Sequence, residues 1–315
     1  MSKFIEDTQY LLGVDFVQSS LIACALLGIL SGVMTSLIVL RHMSFSVHAT
    51  SELALMGAAA ALLFGLNIGF GAIAGAIVAA IILAVLGLKG QQDSAIGVVM
   101  SFGLGLSVLF LHLYPGNAKT AMTLLTGQIV GVSSASVWLL AATTAIIVAV
   151  VALFWRPLLF ASADPVMAQA AGVPVKSLAV CFAILVGLTA AQSVQIVGSL
   201  LVMALLITPG AAAIQITSSP LRAVVWSTIF AEVSAVGGLV LSLAPGLPVS
   251  VFVTSISFVI YLVCRGIGWA RSRKAVRDDV AARRASQEHF RAATDRADAE
   301  THHTSTHDEH CAHQD

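Results

Sequence analysis

The chain has 315 residues, of which 58% are hydrophobic and only 10% charged, with a mean hydropathy of +0.94. A water-soluble domain carries about 25% charged residues, so this composition excludes a soluble enzyme, a nucleic-acid-binding protein and a long disordered chain. The sixteen basic and sixteen acidic residues cancel, but more than half of them lie after Ala270, leaving the preceding chain almost without charge.

The expected fold is an all-α integral membrane protein, a bundle of eight or nine transmembrane helices with a soluble C-terminal tail. Residues 1–15 read as an N-terminal segment, 16–268 as the membrane domain and 269–315 as a cytoplasmic tail, charged and His-rich. The opening MSKFIEDTQY has no basic stretch leading to a small-residue cleavage site, which predicts that the first apolar run is retained. That run, 16–40, is uncharged and closes at Arg41 and His42. Residues 53–88 are again uncharged, and Gly65, Asn67 and Gly69 predict two short spans joined by a tight turn. Further spans are expected at 94–113, 136–155, 178–197, 200–216, 223–243 and 249–264, with Gln192, Gln195 and Gly198 marking the turn inside the uncharged run 177–221.

Orientation follows the positive residues of short loops. Arg41, Lys89, Arg156, Lys176, Arg222 and the cluster Arg265, Arg271, Arg273 and Lys274 mark cytoplasmic loops; those near Asn67, 114–119, Gln195 and Pro245 fall outside. Nine spans put the N-terminus outside and eight put it in the cytoplasm, and both counts fit the pattern. Gly28 with Gly32, Gly65 with Gly69, and Gly71 with Gly75 have the four-residue spacing that lets helices approach closely in lipid. Pro209 in ALLITPGAAA frees a backbone carbonyl within an apolar run and predicts a kink. Cys24, Cys181, Cys264 and Cys311 form no C-x-x-C pair, and no disulfide framework is expected.

Ionisable groups in apolar segments are costly and mark function. His48 and Glu52, in RHMSFSVHATSELALMG, lie one helical turn apart and bring an imidazole nitrogen and a carboxylate oxygen to one face. They form either a partial shell for a divalent metal or a buried pair that satisfies itself. Glu232 is the only charge between Arg222 and Arg265; it faces a polar path, pairs with a group such as His48, or is protonated and packed. His112 reads as an interfacial residue and Asp93 as a helix cap. DPVMAQAAGVPVKSL predicts a short amphiphilic helix started after Pro165 and ended before Pro174, with Gly172 in the turn. The tail ends in His302, His303, His307, His310, Cys311 and His313, a ligand density that suits zinc better than manganese.

The segment LRHMSFSVHATSELALMGAAAALLFG resembles the signature of ABC-3 family permeases, the membrane subunits of importers for zinc, manganese or iron. The resemblance continues through DSAIGVVMSFGLGL, LLTGQIVGVS, DPVMAQAAGVPVKSL and VGSLLVMALLITPGAAA, covering nearly all of residues 15–268. It implies that His48 and Glu52 coordinate the metal at a gate in the translocation path, although many members carry an Asp and then a His at these positions. It also implies pairing with a second permease chain as a homodimer or heterodimer, which would bring four ligands together. It implies, further, an ABC ATPase subunit that engages Asp164, Pro165, Ala170, Gly172, Val173 and Pro174, and an extracytoplasmic metal-binding lipoprotein. The chain itself has no G-x-x-x-x-G-K-[ST] phosphate loop. The expected function is therefore transport rather than catalysis, in a bacterial cytoplasmic membrane, with zinc first and manganese or iron next as cargo, no permanent cofactor and no nucleic-acid partner. The alternative is an autonomous, proton-coupled secondary metal transporter using Glu232 and His48 as proton carriers.

Overall fold

The computed structural model describes residues 14–87, 92–116, 124, 132–243 and 249–274, with isolated positions 277, 283 and 287. Every regular element among the described residues is helical, as an apolar chain in lipid requires if its backbone groups are to be satisfied internally. The first half contains α1 (Asp15–Leu40), α2 (Ser44–Leu63), α3 (Ile68–Gly87), α4 (Gln92–Leu113) and α5 (Ser134–Leu153). Two short helices follow, α6 (Trp155–Ala163) and α7 (Pro165–Ala170), and then α8 (Val175–Val197), α9 (Ser199–Leu206), α10 (Thr208–Ile216) and α11 (Pro220–Leu243). The last helix, α12, covers Val249–Lys274.

Among the described residues 7 helices are long and apolar enough to cross a membrane: α1, α2, α4, α5, α8, α11 and α12. Two shorter apolar stretches, Ile68–Leu83 in α3 and Leu201–Ile216 across α9 and α10, occupy places where further full spans were expected. The second is divided. Ile207 leaves helical geometry at φ −125° and ψ −49°, and Pro209 sits in the first turn of α10, where its missing N–H costs nothing. Both sides of the break find polar partners: Ser257 Oγ donates to the Ala204 carbonyl at 3.1 Å, and the Gly210 N–H donates to Thr35 Oγ1 at 3.2 Å. The expected kink is thus a full interruption.

Two glycine-mediated seams set the packing. On α1, a side chain at Gly32 would collide with the backbone of Thr228 on α11, and one at Gly28 would meet the Glu232 carboxyl carbon at 2.8 Å. Ser227 donates to the Gly32 carbonyl at 2.6 Å and shares a 2.7 Å hydrogen bond with Ser36, so the same seam is closed by hydroxyls. Gly57 of α2 faces the Gly71 carbonyl of α3, and Gly75 faces the Leu53 carbonyl. Gly65 and Gly69 do not form such a seam. Gly65 instead reverses the chain at φ +68° in the turn from α2 to α3, where a side chain would meet open space. The divide expected inside 177–221 falls at Gly198, with φ +78°, while Gln192 and Gln195 lie within α8.

The core runs along α1, whose Leu27, Leu30, Met34, Leu37 and Ile38 are fully buried. α1 packs on α5, α10 and α11, whereas α2 packs on α3, α4 and α8. The Asn67 turn, Ser133 at the start of α5 and Gln195 near the end of α8 line one cavity of about 660 Å³, which brings together two of the loops expected on a common side, those at Asn67 and Gln195. The chain divides into a unit ending at Arg265 and a second beginning at Gly266. In the second, the Arg273 guanidinium lies 3.6 Å from the centre of the Trp269 ring.

Candidate functional site

α2 begins at Ser44, nine residues before the uncharged run, and so takes His48 and Glu52 into its first three turns. Nothing in helix geometry forbids this, because an α-helix satisfies its own backbone whatever side chains it carries. Its hydroxyls turn inward on the helix: Thr50 Oγ1 donates to the Ser46 carbonyl at 2.8 Å and Ser51 Oγ to the His48 carbonyl at 2.7 Å. Leu53 of the next turn fills the space over Gly103 of α4. Glu52 is therefore held deep, 6% exposed, while His48 is half-buried.

Their polar atoms are not spent on each other. Among the described residues, His48 Nδ1 and Glu52 Oε2 are both buried without a hydrogen-bond partner. A buried, unsatisfied polar atom costs about 1–3 kcal/mol, and here two lie on adjacent turns of one helix. The self-satisfied pair considered from the sequence is not what forms. Among the described residues no group of three or more His, Cys, Asp or Glu side chains converges.

Glu232 lies elsewhere, half-buried in the seam over Gly28, with Oε1 buried and unpartnered and Cys24 in its electrostatic neighbourhood. No hydrogen bond or ion pair joins it to His48 among the described residues. His112 is exposed in the last turn of α4, the terminal position expected of it. α4 begins at Gln92, one residue before Asp93. Cys24, Cys181 and Cys264 are free thiols. Cys311, with His302, His303, His307, His310 and His313, lies outside the described residues.

The 164–174 segment folds as its residues dictate. Asp164 caps α7, accepting from the Val166 and Met167 N–H groups at 3.1 and 2.9 Å, and Pro165 takes the first helical position. Gly172, at φ +82°, turns the chain after Ala170, the Val173 N–H returns to the Ala168 carbonyl at 3.0 Å, and Pro174 leads into α8. Ala168 is buried beneath, while Val166 and Met167 are 77% and 62% exposed. The capped helix, outside the helices long enough to span, thus presents two apolar side chains on its surface.

Sequence reasoning passed over two polar residues. Arg41 was treated as a loop cation, yet its guanidinium donates to Ser162 Oγ and the Leu158 carbonyl of α6. Gln192 was treated as a turn marker, yet it is buried in α8 with Nε2 unpartnered. An Arg between two long apolar runs only a few residues apart is the one signal that could have drawn attention to the first.

Among the described residues, 7 helices long and apolar enough to cross a membrane define a multi-pass membrane protein. The chain belongs to the ABC 3 transport family, whose sequence pattern matches residues 13–266. It is 32% identical over 274 residues to the manganese transport system membrane protein MntC of Listeria monocytogenes, covering 84% of this chain and 98% of that protein. It is 30% identical over 268 residues to the manganese import system permease protein ScaB of Streptococcus parasanguinis, covering 84% and 93%. Among solved structures, PsaBC from Streptococcus pneumoniae in complex with Fab matches with a TM-score of 0.75 at 28% identity, covering 84% of this chain and 94% of that one.

Proposed function

We propose that the chain is the membrane permease subunit of an ATP-driven divalent-metal importer of the bacterial cytoplasmic membrane, with manganese as its first cargo. The reading is carried by one observation: a buried imidazole nitrogen and a buried carboxylate oxygen stand open on neighbouring turns of α2 in a chain of this family. A second permease chain supplies the ligands that one chain lacks, so the gate is assembled from two copies of His48 and Glu52. Imidazole and carboxylate together suit manganese as well as zinc. The sequence places zinc first; the names of MntC and ScaB support putting manganese first.

The separate ATPase docks on the 164–174 segment, a role supported by its capped geometry and exposed Val166 and Met167. An extracytoplasmic lipoprotein delivers metal at the opposite end. The permease domain spans 16–268, and the tail 269–315 is a cytoplasmic extension whose six His and Cys residues bind metal independently of the gate.

Manganese uptake by cells producing His48→Ala or Glu52→Ala at equal membrane abundance tests the gate. Changing residues behind a metal's ligands already costs roughly 10–100-fold, so loss of a ligand is expected to reduce uptake by at least that much. Wild-type uptake in both variants would remove the assignment. The proton-coupled alternative, motivated by the unpartnered Glu232 Oε1, is separated by reconstituting the chain alone. No uptake under a pH gradient is expected, and uptake without an ATPase would reverse the order of the two readings.

A further inference from the structure

Arg41 stands where α1 ends, and its side chain reaches both stems of the 164–174 segment. On the α6 side, Nε donates to Ser162 Oγ at 2.7 Å and Nη2 to the Leu158 carbonyl at 3.1 Å. On the α8 side, the guanidinium carbon lies 4.2 Å from the centre of the Phe182 ring. Leu158 and Phe182 are both buried, so the cation is held in an apolar setting where such contacts are stronger than in water. Among the described residues no carboxylate pairs with it. Its charge is met by a hydroxyl, a carbonyl and an aromatic face.

The backbone of the same residue closes α1, its N–H donating to the Leu37 carbonyl at 3.1 Å. The chain then reverses through His42, which takes the left-handed region at φ +55°, and Met43, whose N–H donates to the Ile38 carbonyl at 3.0 Å. α2 starts immediately after, at Ser44, with His48 in its second turn. One rigid, forked cation therefore joins four things: the end of α1, the start of the helix that carries His48, and the two stems between which α7 is suspended. A hydrogen bond lengthened from 2.7 Å by about 1 Å is no longer one, so a small shift of α6 against α8 must either drag Arg41 along or break its hold on one stem.

We infer that Arg41 is the positioning residue that carries displacement of the 164–174 segment to α1 and α2, linking the ATPase-docking face to the metal gate. The inference rests on the importer reading above. Lysine cannot replace it, because a single ammonium has no fork to bridge α6 and no plane to lie on Phe182.

The test uses the complete importer, purified with its ATPase and binding protein and reconstituted in vesicles, with manganese uptake and ATP hydrolysis measured in the same sample. Arg41→Lys and Arg41→Ala are expected to retain the ATPase and to hydrolyse ATP, while manganese moved per ATP falls roughly tenfold. Ser162→Ala is expected to lower the ratio less, and adding it to Arg41→Lys to lower it no further, since both act on one contact. A residue that only held the fold would reduce abundance and thermal midpoint and leave metal per ATP unchanged. An unchanged ratio in Arg41→Lys and Ser162→Ala overturns the inference even if Arg41→Ala fails to fold. Wild-type vesicles that take up manganese only with ATP establish the importer independently of Arg41; wild-type vesicles without ATP-dependent uptake would sink the importer and the role of Arg41 together.

Discussion

Gly28 and Gly32 have the same spacing rationale in the sequence but face different things. A methyl at Gly32 meets the main chain of Thr228, which cannot move without displacing α11; a methyl at Gly28 meets the end of the Glu232 side chain, which can rotate away. Gly32→Ala is therefore expected to destabilise by about 1–3 kcal/mol, and Gly28→Ala by clearly less. Thermal midpoints of the purified variants in detergent check the order, and equal effects would contradict the seam. His48 and Glu52 were legible for the same reason that the glycine spacing was: separation along a helix is a local property. That their polar atoms stand open was not legible, because it depends on what α3, α4 and α8 bring against α2. The partner of Gly32 was illegible on the same ground.

At the scale of elements, the informative pieces are the short ones. α7 has only six residues, too few to persist on helix propensity, so its cap and its burial at Ala168 hold it. Removing the cap with Asp164→Ala is expected to cost about 1 kcal/mol, read as faster amide hydrogen exchange at Val166 and Met167. The same variant should weaken co-purification of the ATPase in the importer reading, while His48→Ala should leave it intact. Protection equal to wild type in Asp164→Ala would show that the cap is dispensable. The existence of this short helix and the turn at Gly172 were readable, because Pro and Gly act through their own backbone neighbours; the Asp164 cap and the end at Ala170 were not read. The division of α9 from α10 was readable only as a kink: Pro209 signals a disturbance, but Thr35 and Ser257, which satisfy the freed groups, lie far away in the chain.

At the scale of the whole molecule, α4 and α12 leave large apolar side chains on the outside, including Phe102, Val108, Val259 and Val263. In water such a surface would aggregate; against lipid tails it carries no penalty, and close helix packing rather than hydrophobic burial must hold the bundle together. In the proposed importer the gate takes two ligands from each chain. Two permease chains per complex are expected, with manganese bound at one ion per two chains. Native mass measurement of the purified complex checks the first and metal analysis the second. A single chain holding its own ion would overturn the shared gate.

Composition and local order determined that this chain lives in a membrane, placed most of its helices to within a few residues and exposed the spacing of His48 and Glu52 and the short helix in the 164–174 segment. These rest on sums over neighbouring residues, which a sequence displays directly. Tertiary structure decided that α2 begins at Ser44, that His48 Nδ1 and Glu52 Oε2 are buried without a hydrogen-bond partner, that Glu232 rests on Gly28, and that Arg41 grips α6 and α8. Each of these depends on which distant backbone comes close enough to collide or to accept a hydrogen bond, and distance in space is not written in the spacing of residues along the chain.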